Sequence, residues 1–165
     1  MLSAVEIVRA AAGDVDGILD LQARNQPSRG GTLSASLPRE RITAMMADLP
    51  AIVARRDGRV VGYLLSCSRN TNADVPVLRA MLDAYPGAPD AYVYGPICVD
   101  EAERGKGLAA AMFRELRRRL PGREGVLFIG RDNAASLSAH ARMGMREVAG
   151  FTHGGAAFAV LAYVG

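Results

Sequence analysis

Apolar residues recur along the chain with two periods, and each change of period marks an element. Residues 5–10 form a short apolar run that predicts a first strand, with Gly13-Asp14 as a turn and cap. Val15, Ile18, Leu19 and Leu21 then recur at helical spacing to about Arg24. Residues 25–37 lose any period and are rich in Gly, Ser and Pro, which predicts a mobile loop, a kind of segment that is often functional. Pro38 suits a helix start, and Ile42, Met45 and Met46 give residues 39–48 an apolar face. Two strand-like runs, 51–56 and 59–68, flank Asp57-Gly58. That pair favours a two-residue hairpin, because a type I′ turn needs positive φ at both central positions.

A polar link at 70–74 precedes Val77, Leu78, Met81 and Leu82, whose spacing predicts a helix over about 75–85, stopped by Pro86-Gly87. Residues 91–99 read as a strong strand. Beyond a glycine-bearing loop, Leu108, Met112, Leu116 and Leu120 recur every four residues, with arginines on the opposite face, until Pro121-Gly122. The short, fully apolar run 126–130 predicts a central strand. Asn133 is a good N-cap for a helix over 134–143, and Gly144 a good residue to close it. Strands at 145–153 and 156–164 flank Gly154-Gly155, a second two-residue turn. This order predicts an α/β (α+β) fold: a mixed, mostly antiparallel central sheet of about seven strands, flanked by helices on both faces.

Composition narrows the picture. At 165 residues, half of them hydrophobic, residues 1–165 are expected to form a single domain with a substantial core. No apolar run approaches the roughly 20 residues of a membrane helix. No cationic segment precedes an apolar one at the N-terminus, so a cytoplasmic protein without a membrane partner is expected. Cys67 and Cys98 fall in apolar, strand-like runs and read as buried free thiols. His140 and His153 have no cysteine or acid patterned around them, so no metal site is expected. The net charge is +3, with Arg114, Arg117, Arg118, Arg119 and Arg123 clustered. No aromatics interleave with these arginines, which therefore read as a solvated helix face and not a nucleic-acid surface.

The chemistry concentrates after the strand 91–99. Four acidic or turn-forming residues, 100–103, lead into Arg104-Gly105-Lys106-Gly107-Leu108-Ala109 and then the long helix. A strand, a tight glycine loop and a helix N-terminus make an anion site, because the first helical N–H groups lack internal partners and the dipole favours negative charge. A Walker loop would need Ser or Thr after Gly-Lys, where Gly107 stands. A Rossmann fingerprint would need three spaced glycines near the first strand. The segment instead fits [RQ]-x-x-G-x-[GA] at every fixed position.

With the strand Tyr94-Gly-Pro-Ile-Cys-Val99 and the later segment Asn133-Ala-Ala-Ser-Leu-Ser-Ala-His-Ala-Arg-Met-Gly144-Met145, this loop resembles the GCN5-related N-acetyltransferase (GNAT) family over nearly the whole chain. The resemblance implies a GNAT-like fold and an acetyl-CoA-dependent N-acetyltransferase. It implies that the amides of Gly105, Lys106, Gly107, Leu108 and Ala109 hold the coenzyme A pyrophosphate, with Arg104 a further cofactor-binding residue that adds positive charge. The pantetheine arm would run along Ile97, Cys98 and Val99, with Asn133 and Ser136 also touching the cofactor. It allows a homodimer.

Asn133, Ser136 and His140 are spaced i, i+3 and i+7, so they line one helix face. The family usually carries a tyrosine at the position of His140, whose hydroxyl protonates the departing thiolate, and some members carry histidine. Imidazolium, with a pKa of about 6.5, would donate readily, whereas neutral imidazole would not. Either the site raises the pKa of His140 or the ring only hydrogen-bonds the sulfur. Alternation puts Tyr92 and Tyr94 on one strand face, where they are candidates for substrate contact. An attacking amine must be neutral, so a base is expected; Asp74, Asp90, Asp100 and Glu101 are candidates only by proximity. Cys98 as an acylated nucleophile is disfavoured by its apolar strand. The reading is acetyl transfer to a primary amine of a small molecule or peptide. Its rivals are a non-catalytic acyl-CoA sensor and a nucleic-acid-binding domain.

Overall fold

The alternating and helical periods fold into seven strands and five α-helices in a computed structural model, which describes residues 4–26 and 36–165. In chain order these are β1 (Glu6–Arg9), α1 (Val15–Arg24), α2 (Arg39–Asp48), β2 (Ile52–Arg56), β3 (Arg59–Ser68), α3 (Pro76–Ala84) and β4 (Tyr92–Val99). Then come α4 (Leu108–Arg119), β5 (Glu124–Gly130), α5 (Ala134–Arg142), β6 (Arg146–His153) and β7 (Ala156–Val164). The strands form one open sheet in the order β1-β2-β3-β4-β5-β7-β6. Pairing is antiparallel between β1 and β2, β2 and β3, β5 and β7, and β6 and β7; β4 runs parallel to β5. The mixed, mostly antiparallel sheet expected from the element order is therefore present. The expected loop over 25–37 lies largely outside the described residues.

The chain divides into two compact units, and β4 contributes to both. One comprises Met1–Ser66 and Gly95–Arg119. Its hairpin β2–β3 turns at Asp57 and Gly58, both with positive φ (53° and 76°), as a two-residue type I′ turn requires. Ile18, Leu21, Ile42, Met45, Ile52, Leu64, Met112 and Leu116 are fully enclosed and make its core. Asp14 is the N-cap residue of α1, but its side chain makes no capping bond there: its carboxylate accepts from the Ala11 N–H (2.8 Å) and from Arg55 through two bonds (2.9 and 2.7 Å). A buried carboxylate needs a paired cation more than a helix end needs a cap. On α4, Arg118 and Arg119 bind Glu115 and Arg117 lies over the Phe113 ring.

The other unit comprises Cys67–Tyr94 and Leu120–Gly165. The hairpin β6–β7 turns at Gly154 and Gly155 (φ 58° and 80°), and β7, not β6, pairs with β5. Strand β5 starts at Glu124, two residues before the apolar run. Glu124 is nearly buried and earns its place by binding: it accepts from the Tyr85 hydroxyl (2.7 Å) and the Ala88 N–H (2.6 Å). Met81, Tyr92, Val126, Val160 and Ala162 fill this core. Among the described residues no helix is long and apolar enough to cross a membrane.

Candidate active site

Strand β4 ends in Ile97, Cys98 and Val99. The Asp100 N–H donates to the Val61 carbonyl (2.9 Å), so strand alternation turns the amides of Ile97 and Val99 to the opposite edge. Cys98 is buried, and that burial pushes its thiol up to about 11, against the opposing pull of Arg104. It stays protonated at neutral pH.

The following loop is shaped by its glycines. Gly105 and Gly107 have φ of +77° and +81°, a region that side-chain-bearing residues avoid. Among the described residues, a Cβ at either would meet nothing within 4 Å. In α4 the Ala111 N–H donates to the Gly107 carbonyl (3.0 Å), and the amides ahead of it, at 108–110, are those a helix start leaves unpaired. The two cations turn back on the protein. Lys106 Nζ donates to Glu103 (3.2 Å), and Arg104 donates to Asn25 Oδ1 (2.6 Å) and the Val99 carbonyl (3.3 Å). Glu103 also takes two bonds from Arg56 (2.8 and 2.9 Å), which hold its carboxyl at about 2. What faces outward is an open turn edged with backbone donors, and such a cradle fits a diphosphate.

In the other unit, Asn133 caps α5, its side chain accepting from the Ser136 N–H (3.2 Å). His140 follows two turns on and is buried. Its Nδ1 lies 2.8 Å from the Ser136 carbonyl, which can only accept, so Nδ1 carries the hydrogen. The Ser136 hydroxyl stands 3.3 Å from the same nitrogen. Nε2 is thereby the acceptor, and the Tyr94 hydroxyl, 3.1 Å away, donates to it. The two rings meet edge-on at 5.6 Å. Burial lowers the pKa of His140, opposed in part by the bond to Ser136, and burial raises that of Tyr94. Of the two roles open for His140, the raised-pKa imidazolium runs against this burial. Tyr92 and Tyr94 share a face, as alternation predicts, and both meet Tyr163: the Tyr92 and Tyr163 hydroxyls are 2.6 Å apart.

The residues singled out in the sequence thus fall into two groups. Ile97, Cys98, Val99 and residues 104–109 belong to the first unit; Tyr92, Tyr94, Asn133, Ser136 and His140 belong to the second. Of the candidate bases, Asp100 is buried and committed to Arg24 (3.2 Å) and the Ala102 N–H (3.2 Å), while Asp74, Asp90 and Glu101 are exposed. Among the described residues no cluster of three or more His, Cys, Asp or Glu could hold a metal ion. Sequence reading missed Arg24, Arg56 and Tyr163, and placed Asn25 only as the first residue of the loop 25–37. The bond from Arg104 to Asn25 spans 79 positions, a distance over which no spacing rule acts.

The fold has many relatives among solved structures. An N-acetyltransferase from Staphylococcus aureus Mu50 superposes with a TM-score of 0.70 at 20% identity, covering 98% of this chain and 99% of that one. The ribosomal-protein-S18-alanine N-acetyltransferase of Escherichia coli gives 0.69 at 13%, covering 98% and 94%. A putative acetyltransferase from Salmonella typhimurium, solved with its cofactor acetyl-CoA, gives 0.69 at 17%, again covering 98% and 94%. No curated protein matches the sequence. The model of the acetyltransferase (GNAT) family matches residues 16–145, across the glycine loop and the α5 segment, and the chain belongs to that family.

Proposed function

We propose that residues 1–165 act as one acyl-CoA N-acyltransferase domain that moves an acetyl group from acetyl-CoA to a primary amine. The observation that carries this is the turn at residues 104–109. It has two left-handed glycines, no described atom within 4 Å of a Cβ at either, and the α4 amides that a helix start leaves without intrahelical partners, at the family's pyrophosphate position. The amides of Ile97 and Val99, turned away from β3, supply a strand edge for the pantetheine arm. The acetyl-CoA named with the Salmonella neighbour supports the choice of cofactor.

Transfer is direct. The amine nitrogen attacks the thioester carbonyl, the C–S bond breaks, the nitrogen loses a proton and the departing thiolate gains one. A thiol held near 11 is a poor nucleophile, which speaks against an acetyl-Cys98 stage. The proton is assigned to the neutral imidazole of His140, tied to Ser136 through Nδ1: Nε2, beside the Tyr94 hydroxyl, takes the proton the nitrogen loses and returns it to the departing thiolate. The acceptor class spans small-molecule amines and peptide N-termini, the latter suggested by the ribosomal-protein enzyme among the neighbours.

The test is a broad amine panel incubated with acetyl-CoA, reading release of free coenzyme A and the mass of the product. Acetylation of at least one primary amine is expected. Coenzyme A binding with no turnover on any amine would instead make the chain an acyl-CoA sensor.

A further inference from the structure

We infer that Asn25, at the end of α1, is a positioning residue for the pyrophosphate loop and sets affinity for coenzyme A through Arg104. The inference rests on the loop's assignment as the cofactor cradle. Asn25 is only 5% exposed and closes α1 twice over: its backbone N–H donates to the Gln22 carbonyl (3.2 Å) and its side-chain NH2 to the Leu21 carbonyl (2.8 Å). An amide group that spends its NH2 as a helix cap has its oxygen aimed the other way. That oxygen receives Arg104 Nη2 at 2.6 Å.

The neighbouring residue repeats the device, since Arg24 Nη1 donates to Asp100 Oδ2 at 3.2 Å. The last turn of α1 thus grips the loop at residues 100 and 104. Between these points Asp100 caps the turn through the Ala102 N–H, and Arg104 also reaches back to the Val99 carbonyl. With Arg104 held in this way, the backbone of Gly105 and Gly107, the most permissive in the chain, leaves from a fixed point. Donors pre-set around an anion bind it without the ordering cost that a free glycine turn would incur. In this assignment Asn25 acts on the ligand through Arg104.

Calorimetric titration with coenzyme A tests this without relying on turnover. Asn25→Ala is expected to weaken binding about tenfold, the scale of one charge-assisted hydrogen bond. Arg104→Lys, at an exposed position, keeps the charge but loses the planar two-donor fork, and the same loss is expected. The double variant should bind no more weakly than either single one, a coupling that mere destabilisation would not produce. Affinity within twofold of wild type in Arg104→Lys would overturn the inference even if Asn25→Ala fails to fold. So would additive losses in the double variant. A wild-type chain that does not bind coenzyme A would refute the cradle itself, a different failure.

Discussion

At the scale of single residues, the tautomer of His140 decides what its ring can donate and accept. A carbonyl oxygen 2.8 Å from Nδ1 fixes the hydrogen there and leaves Nε2 as the partner of the Tyr94 hydroxyl. Removing the ring in His140→Phe should cut acetyl transfer by roughly a hundredfold while coenzyme A affinity, read by calorimetry, stays near wild type. The lowered pKa also has a consequence for stability. The folded state binds this proton less readily than the unfolded chain, whose histidine titrates near 6.5. Its contribution is therefore complete above pH 6.5 and is lost as pH falls through the depressed folded value. Wild type should lose thermal stability between pH 7.5 and pH 5, and His140→Phe should lose less over that window. Equal pH dependence in the two proteins would contradict the neutral, buried ring.

At the scale of elements, close approach explains two glycines that no turn requires. A Cβ on Gly17 would come within 2.8 Å of Val60 Cγ2, so α1 can lie against β3 only because this face of the helix is bare. Gly125 sits opposite Tyr163 in the β5–β7 register, and an added Cβ would overlap the Tyr163 ring. That ring meets both Tyr92 and Tyr94, so displacing it disturbs the packing around the hydroxyl that faces His140. Gly125→Ala should cost about 1–3 kcal/mol, measured by urea unfolding. It should also lower acetyl transfer more than it weakens coenzyme A binding. A Gly125→Ala protein as stable as wild type would mean that Tyr163 can move aside freely. Glycine at 125 reads in sequence only as a small residue ahead of the apolar run 126–130, because its reason stands 38 positions away on β7.

At the scale of the whole molecule, family membership and the loop geometry make a ligand effect measurable before any acceptor is known. A ligand that binds only the folded chain stabilises it by about 2.7 kcal/mol at a hundred times its Kd. For a chain of this size that is a rise in melting temperature of roughly 5–10 °C. Acetyl-CoA and coenzyme A should both produce it. Pantetheine, which lacks the diphosphate, should produce little at the same concentration. An equal shift with pantetheine would move the main binding contribution away from the glycine turn and onto the β4 edge.

Local physics determined the elements. Helix and strand periods, the Asp57-Gly58 and Gly154-Gly155 turns, the Asn133 cap and the glycine loop all depend on residues within a few positions of one another. Each could be read from the sequence alone, and so could the family resemblance that the loop and the α5 segment carry. The sheet order, with β7 placed between β5 and β6, was decided only in three dimensions, because many strand orders satisfy the same alternation. The same holds for the site's polar partners. Tyr94 meets His140 across 46 positions and Arg104 meets Asn25 across 79, and neither pairing leaves a local pattern. Burial, too, belongs to the tertiary structure. It turned a histidine that composition would place near its ordinary pKa into a neutral acceptor, because desolvation acts only once the chain has closed around the ring.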